Sequence, residues 1–293
     1  MKVGSVSIVG RPNVGKSTLL NSILNMKLAI ISNKAGTTRN LINGIYNDDD
    51  SQIIFVDTPG INKPLNKLEN LMNRKSYSSV DDVDLVLFLI DAKTGIGKKD
   101  EQVLNKLKDL DIPVFLVINK IDGMKNDDIF KVIVKAKDIY PFKEVIPISA
   151  KNKKNIDELL NTIKTYLEEQ DKIYSEDELT NVSLRFIMAE FVREKVLELT
   201  RDEIPYTVTC YTENFEEYDD IVNISVLIVI ERENLKKILI GKKGSMLKEI
   251  GTRARYDMEN FLGKKVFLET HVKTLKNWRD EEKYFSELGL EDE

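Results

Sequence analysis

The nine residues GRPNVGKST, positions 10–18, restrict the fold more than any other stretch of this chain. They lie between a strand-like run, VGSVSIVG, and a helical pattern, KSTLLNSILNM. Gly10, Gly15, Lys16 and Ser17 fit G-x-x-x-x-G-K-[ST] at a strand-to-helix junction, the setting in which that spacing makes a phosphate cradle. Glycines let backbone N–H groups turn inward toward phosphate oxygens, and the helix N-terminus adds positive potential. Lys16 is expected to reach the β- and γ-phosphates and Ser17 to offer its hydroxyl to Mg²⁺, with Asn13, Val14 and Thr18 completing the lining. Up to residue 168 strand and helix patterns alternate: VDLVLFLIDA, IPVFLVINK and KEVIPIS are apolar runs, with amphipathic stretches such as DEQVLNKLKDL between them. LINGIYN and SQIIFVDT flank a turn-rich DDD, which reads as a hairpin. The expectation is an α/β domain, a mostly parallel sheet with helices on both faces.

Four more motifs follow in order. DTPG (57–60) ends a strand; Asp57 is placed to hold the magnesium water shell, and the Gly60 N–H to sense a γ-phosphate, with Thr58 and Pro59 beside them. NKID (119–122) ends another. There the Asp122 carboxylate would accept from guanine N1–H and the exocyclic amine, a pair adenine does not offer. Asn119 would tie loops together and the Lys120 stem would cover the base. SAK (149–151) supplies Ser149, Lys151 and the Ala150 N–H, expected to meet guanine O6. AGTTRN (35–40) lies in a polar loop suited to ordering by metal and γ-phosphate. Together these point to a guanine-nucleotide switch using GTP and GDP with Mg²⁺, and away from a kinase with an adenine site. Ile61 follows DTPG where many GTPases carry a water-orienting glutamine, so hydrolysis is expected to rely on other groups and to be slow without a partner.

The pattern changes after residue 168. EEQDKIYSEDELTN (168–181) is polar and acidic, which sets a linker over 169–181, and 182–293 reads as a smaller α+β unit ordered helix, strand, strand, helix, helix, strand. Its IGKKG (240–244) lacks the interval and terminal Lys-Ser/Thr of a phosphate loop. G-x-x-G between two helices is instead the loop by which a type II KH module clamps single-stranded nucleic acid. Gly241 and Gly244 would permit close approach, Lys242 and Lys243 would neutralise phosphates, and Ile240 with the rest of ILI and the following helix would form an apolar groove. Lys248 and Arg253 are further candidates, and Arg253 and Arg255 suit phosphate contact or plain solvation equally. Residues 232–279 carry 13 Lys+Arg against 5 Asp+Glu, although the whole chain has a formal net charge of −5. A basic segment in an acidic chain suggests a polyanion. Residues 175–220 are the counterweight, with 4 Lys+Arg against 13 Asp+Glu.

One cysteine, Cys210, excludes an internal disulfide, and one histidine, His271, excludes histidine metal clusters and Ser-His-Asp chemistry. Trp278 is expected to pin the last helix, with base stacking as the alternative. No apolar run approaches the roughly 18 residues of a membrane span. No signal peptide is apparent, and the chain reads as cytoplasmic.

GRPNVGKST, GTTR, DTPG, NKID, SAK, EIPY (203–206) and IGKKG, in this order and over nearly the whole chain, resemble the Era family of bacterial ribosome-assembly GTPases. The resemblance implies that the KH unit binds the 3′ end of small-subunit (16S-type) rRNA during 30S maturation, with the 30S precursor as partner. GTP-bound protein would be the binding form and hydrolysis would drive release. It implies peripheral association with the cytoplasmic face of the membrane, and the chain is expected to be a monomer. The threonine pair maps onto Thr37 and Thr38, with Thr38 the magnesium ligand; Gly36 departs from the family's usual glutamine. The phosphate loop also resembles those of bacterial GTPases that bind potassium, with Asn13 as the K⁺ ligand. The catalytic set is thus Lys16, Thr38, Gly60 and Asn13. A different class of reading, a membrane-linked regulatory GTPase whose basic segment binds anionic lipid, stays open at this point. Asp122→Asn should shift preference from GTP to xanthosine triphosphate, measured by competition binding; unchanged GTP preference would refute the base assignment.

Overall fold

The computed structural model describes residues 1–290. They divide into two compact units, one of residues 1–29, 38–64 and 69–181, the other of 30–37, 65–68 and the described residues from 182 on.

In the first, β1 (Lys2–Gly10), α1 (Lys16–Leu24), β2 (Ile42–Asn47), β3 (Ser51–Asp57), α2 (Lys67–Ser78), β4 (Leu85–Asp91), α3 (Lys98–Leu107), β5 (Val114–Asn119), α4 (Asn126–Lys137), β6 (Glu144–Pro147), α5 (Ile156–Lys164) and β7 (Glu168–Glu169) follow one another. The sheet runs β2-β3-β1-β4-β5-β6. β2 is antiparallel to β3 through the DDD hairpin, and β3, β1, β4, β5 and β6 are parallel. LVLFLI of β4 and VFLVI of β5 are apolar without alternation because both faces of those strands are buried. Chain order reverses about β1, so the carboxyl ends of β1, β3, β4, β5 and β6 share one edge, where ligands of such sheets bind.

The stretch expected to be a linker is laid along this unit. β7 pairs antiparallel with Lys2 and Val3. The Gln52 side chain accepts from Ile173 N (2.8 Å) and Tyr174 N (2.9 Å) and donates to the Tyr174 carbonyl (2.9 Å). Ile45 N–H then donates to the Leu179 carbonyl (2.9 Å). One buried glutamine thus satisfies a backbone that composition alone makes look solvated.

The second unit holds α6 (Leu184–Leu199), α7 (Ile204–Thr207), β8 (Val208–Glu217), β9 (Ile221–Ile230), α8 (Glu233–Ile240), α9 (Ser245–Leu262), β10 (Lys265–Thr274) and α10 (Lys283–Glu287). Its sheet runs β10-β9-β8, with β9 parallel to β10 and antiparallel to β8. The helix-strand half comes first, as expected, with the one-turn α7 added. Ser183 caps α6 by accepting from Phe186 N (3.2 Å). Ile187, Phe191, Val226, Ile228, Ile250, Ala254 and Met258 fill the core. Lys195 on α6 binds Asp257 on α9 (2.8 Å) and Glu194 (3.0 Å). Burial disfavours its charge, yet those carboxylates outweigh it and raise its pKa above the ordinary lysine value. The segment 30–37 joins this unit: Ile31 N–H donates to Glu194 (2.9 Å), and the Arg193 guanidinium to the Thr37 carbonyl.

Trp278 is fully buried, its indole N–H donating to the Thr207 carbonyl (3.0 Å), so it serves packing and not stacking. No helix among the described residues is long and apolar enough to cross a membrane. Trp278→Ala should cost about 3–5 kcal/mol of the second unit's stability, and Trp278→Phe, which keeps the ring burial, about 1–2 kcal/mol. Urea unfolding followed by circular dichroism measures both.

Candidate functional site

The carboxyl edge of the first sheet gathers the nucleotide motifs. At Gly15 the backbone takes φ 104°, and a Cβ there would fall 2.3 Å from the Asn119 amide nitrogen, so only glycine fits. The Lys16 ammonium is buried and donates to the carbonyls of Gly10 (3.1 Å) and Arg11 (3.2 Å). Burial pulls its pKa down to about 8, against the raising charge of Asp57. Thr18, one residue beyond Ser17, is half-buried at the start of α1.

Ser17 Oγ donates to Asp57 Oδ2 (2.7 Å) and lies 2.9 Å from Thr38 Oγ1. Asp57 is fully buried, and burial pushes its pKa up to about 6 against the opposing charge of Lys16 and the hydroxyl bonds. Its Oδ1 is a buried acceptor with no hydrogen-bond partner. An orphaned carboxylate oxygen beside two hydroxyls fits a hard, oxygen-seeking dication that keeps several waters, which is how magnesium binds. Ser17, Thr38 and Asp57 are therefore brought together. Thr37 is not part of this group; its hydroxyl donates to the Lys34 carbonyl (2.7 Å).

Thr58 Oγ1 donates to the Ile8 carbonyl (2.8 Å), and Pro59 accepts from Ser76 Oγ (2.7 Å), which fixes the DTPG turn. A Cβ on Gly60 would come within 2.8 Å of Pro12 N, so DTPG and the phosphate loop touch backbone to backbone. Ile61 is buried among Val9, Val80, Val103 and Leu107. Its side chain is an anchor in the core, unable to face a water at a phosphate.

The base loops converge on Asn119. Its Nδ2 donates to the Val14 carbonyl (2.9 Å), and its Oδ1 accepts from Lys120 N (2.8 Å) and Ala150 N (3.0 Å). The Ala150 N–H, expected to meet guanine O6, is thus already engaged; contact with O6 requires it to be shared, because Asn119 needs a second acceptor contact to span both loops. Lys120, at φ 65°, donates to the Asn13 carbonyl (2.5 Å) and pairs with Asp91 (3.0 Å). Asn13 itself is exposed with φ 65°. Asp122 Oδ1 accepts from Ser149 Oγ (2.5 Å), and Lys151, two residues after that serine, is exposed.

Two residues escaped the motif reading. Asn152 Nδ2 also donates to Asp122 Oδ1 (2.5 Å). Arg11 Nε meets the fully buried Asp100 (2.8 Å), and its NH2 donates to Thr94 Oγ1 (3.0 Å) and the Gly95 carbonyl (2.9 Å). A polar residue three after Ser149 was the available signal for Asn152; for Arg11 the partners lie some 85 residues away, beyond any local pattern.

In the second unit, Gly241 (φ 74°) precedes and Gly244 (φ 78°) ends a one-turn 3₁₀ helix, with Lys242 and Lys243 exposed. A groove of about 480 Å³ starts there, lined by Gly244, Leu247, Lys248, Arg255, Phe267 and Leu268 among others. Two expectations change. Leu239 of ILI is buried in the core and Ile240 is half-buried outside the lining, so α9 and β10 supply the apolar wall. Arg255, seven residues after Lys248, shares its helical face, whereas Arg253 points elsewhere and pairs with Glu249 (2.7 Å).

Known proteins match both units. A family model described as "50S ribosome-binding GTPase" matches residues 5–120, and one described as "KH domain" matches 203–279. GTPase Era of Lacticaseibacillus paracasei is 46% identical over 98% of this chain and 96% of its own. A crystal structure of an Aquifex aeolicus Era variant bound to GDP and AlF4⁻ is 43% identical, with TM-score 0.96 and 99% of each chain covered. A structure of Era in complex with MgGDPNP and nucleotides 1506–1542 of 16S ribosomal RNA gives the same identity, score and coverage. With identity of this order along nearly its full length, and phosphate, base and G-x-x-G loops in the places described, the chain belongs to the Era family of GTPases.

Proposed function

We propose that this protein is a GTP-hydrolysing switch that grips the 3′ end of 16S ribosomal RNA and assists maturation of the small ribosomal subunit in the cytoplasm. The observation that carries the reading is the relative solved with MgGDPNP and the 16S segment, 43% identical over 99% of this chain. Residues 1–168 are assigned to nucleotide chemistry, 169–181 to the connection, and 182–293 to RNA.

Within the nucleotide site, Lys16 exchanges its carbonyl partners at Gly10 and Arg11 for phosphate oxygens, and the Gly60 N–H senses the γ-phosphate. Ser17 and Thr38 would hold magnesium directly and Asp57 through water; when bound, the ion offsets charge on the β- and γ-phosphates. Asp122 accepts from guanine, with Asn119, Lys120, Ala150 and Lys151 closing the base slot. Since Ile61 is committed to the core, the attacking water is left to backbone groups and to charge compensation near Asn13, whose amide oxygen is a hard donor suited to K⁺.

For RNA, Gly241 and Gly244 let the backbone approach phosphates that Lys242 and Lys243 neutralise. Lys248 and Arg255 track the strand along the groove, while Leu247 and Phe267 receive bases.

GTP hydrolysis should rise when a 16S 3′-terminal oligonucleotide is added, and should be faster in potassium than in sodium buffer. No stimulation, together with no oligonucleotide binding, would remove the ribosomal assignment; equal rates in the two salts would remove only the role of Asn13. Replacing Lys242 and Lys243 with Asp should weaken oligonucleotide binding by about tenfold or more and flatten its salt dependence, leaving nucleotide affinity unchanged. Anionic vesicles serve as the comparison: binding to them as tight as to the oligonucleotide, and lost equally with salt, would favour peripheral membrane association.

A further inference from the structure

We infer that Asn152 is a positioning residue for guanine selection: it works with Ser149 to hold the Asp122 carboxylate in the orientation that a purine with two adjacent donors requires. The inference rests on the assignment of Asp122 as the base acceptor and goes beyond it.

A carboxylate that reads guanine must present itself in the plane of the base, because N1–H and the exocyclic amine lie side by side in that plane. Asp122 is exposed, and an exposed aspartate turns freely about its last torsion. Two donors restrain it here. Ser149 Oγ and Asn152 Nδ2 each come within 2.5 Å of the same oxygen, Oδ1. Two bonds on one oxygen, from groups on a single loop, fix the plane of the carboxylate. Among the described residues no hydrogen bond is made to Oδ2, so both of its lone pairs stay available to the two donors of the base.

The clamp is effective because the loop behind it is rigid. Ser149 N–H donates to the Lys154 carbonyl (3.1 Å) and Lys154 N–H to the Ser149 carbonyl (3.0 Å), closing residues 149–154 into a tight turn. Inside it, Asn152 N–H donates to Ser149 Oγ (3.1 Å). That bond occupies a lone pair of the serine and directs its proton toward Asp122. Asn152 thus acts twice, once through its own amide and once by orienting the serine hydroxyl. The turn is also moored to α1, where Ser22 Oγ donates to the Ala150 carbonyl (2.5 Å) and Lys153 Nζ to the Asn25 side chain. Mooring to the helix that follows the phosphate loop sets the clamp's distance from that loop.

The test is binding of GDP and of IDP, which lacks the exocyclic amine, to the full-length protein. Asn152→Ala should weaken GDP by about tenfold, the size expected for loss of one hydrogen bond to a charged group, and weaken IDP clearly less, so that the GDP/IDP ratio falls. Asn152→Asp keeps the shape but faces Asp122 with a second carboxylate, and should lose more GDP affinity than the alanine variant. Unchanged thermal unfolding of both variants accompanies this result, since Asn152 lies on the surface. Equal loss of GDP and IDP would reduce Asn152 to general loop support and overturn the inference. Tighter GDP binding in Asn152→Ala would overturn it differently, by making the amide a competitor for the base. Asp122→Asn is run in parallel: if it fails to switch preference to xanthine nucleotides, the base assignment itself falls and this inference with it.

Discussion

Everything in the nucleotide site depends on one carboxamide. Asn119 is almost fully buried and joins three segments distant in sequence: the phosphate loop through Val14, its own loop through Lys120, and the loop after β6 through Ala150. The bonds to Val14 and Ala150 are buried and the one from Lys120 partly so, so losing the side chain would strand a buried carbonyl and a buried N–H where hydration replaces it poorly. Neighbouring contacts reinforce the same frame, with Lys120 on the Asn13 carbonyl and Ser22 on the Ala150 carbonyl. Phosphate and base recognition are therefore parts of a single rigid body, built at the sheet edge where chain order reverses.

The nucleotide half was legible in the sequence because its chemistry is local. Phosphate cradles, turn aspartates and the glycine at position 15 are dictated by backbone geometry within a few residues, and each falls at a strand end. What escaped was non-local. Nothing near Arg11 announces Asp100, and nothing in EEQDKIYSEDELTN announces that Gln52 will bind its backbone. Both depend on which surfaces the finished sheet brings together. The Ala150 N–H shows a subtler limit: the motif points to this donor for guanine O6, but not to the Asn119 side-chain oxygen that already accepts from it.

For the second unit, element order and the G-x-x-G turn were enough to give the architecture, while the groove's walls were not. Helical spacing decides them. Counting from Lys248, position 255 returns to the same face and position 253 does not, so a basic residue chosen by proximity to the loop was displaced by one chosen by period. Likewise ILI looked like a groove wall because it is apolar, yet Leu239 is required by the core behind it.

The order of the three strands in that unit has an electrical consequence. β8, at one edge, carries exposed Glu213, Glu216 and Glu217, while β10, at the other, carries exposed Lys265 and Lys273 against the single Glu269 and adjoins the groove that holds Lys248 and Arg255. Opposite charge at opposite edges makes the unit an electric dipole about one sheet wide. Such a body experiences torque in the field of a polyanion and turns its basic edge forward before any atom makes contact. Selection then begins during approach, as an angular filter on collisions, and added salt would act on how often a productive encounter occurs more than on how long the complex lasts.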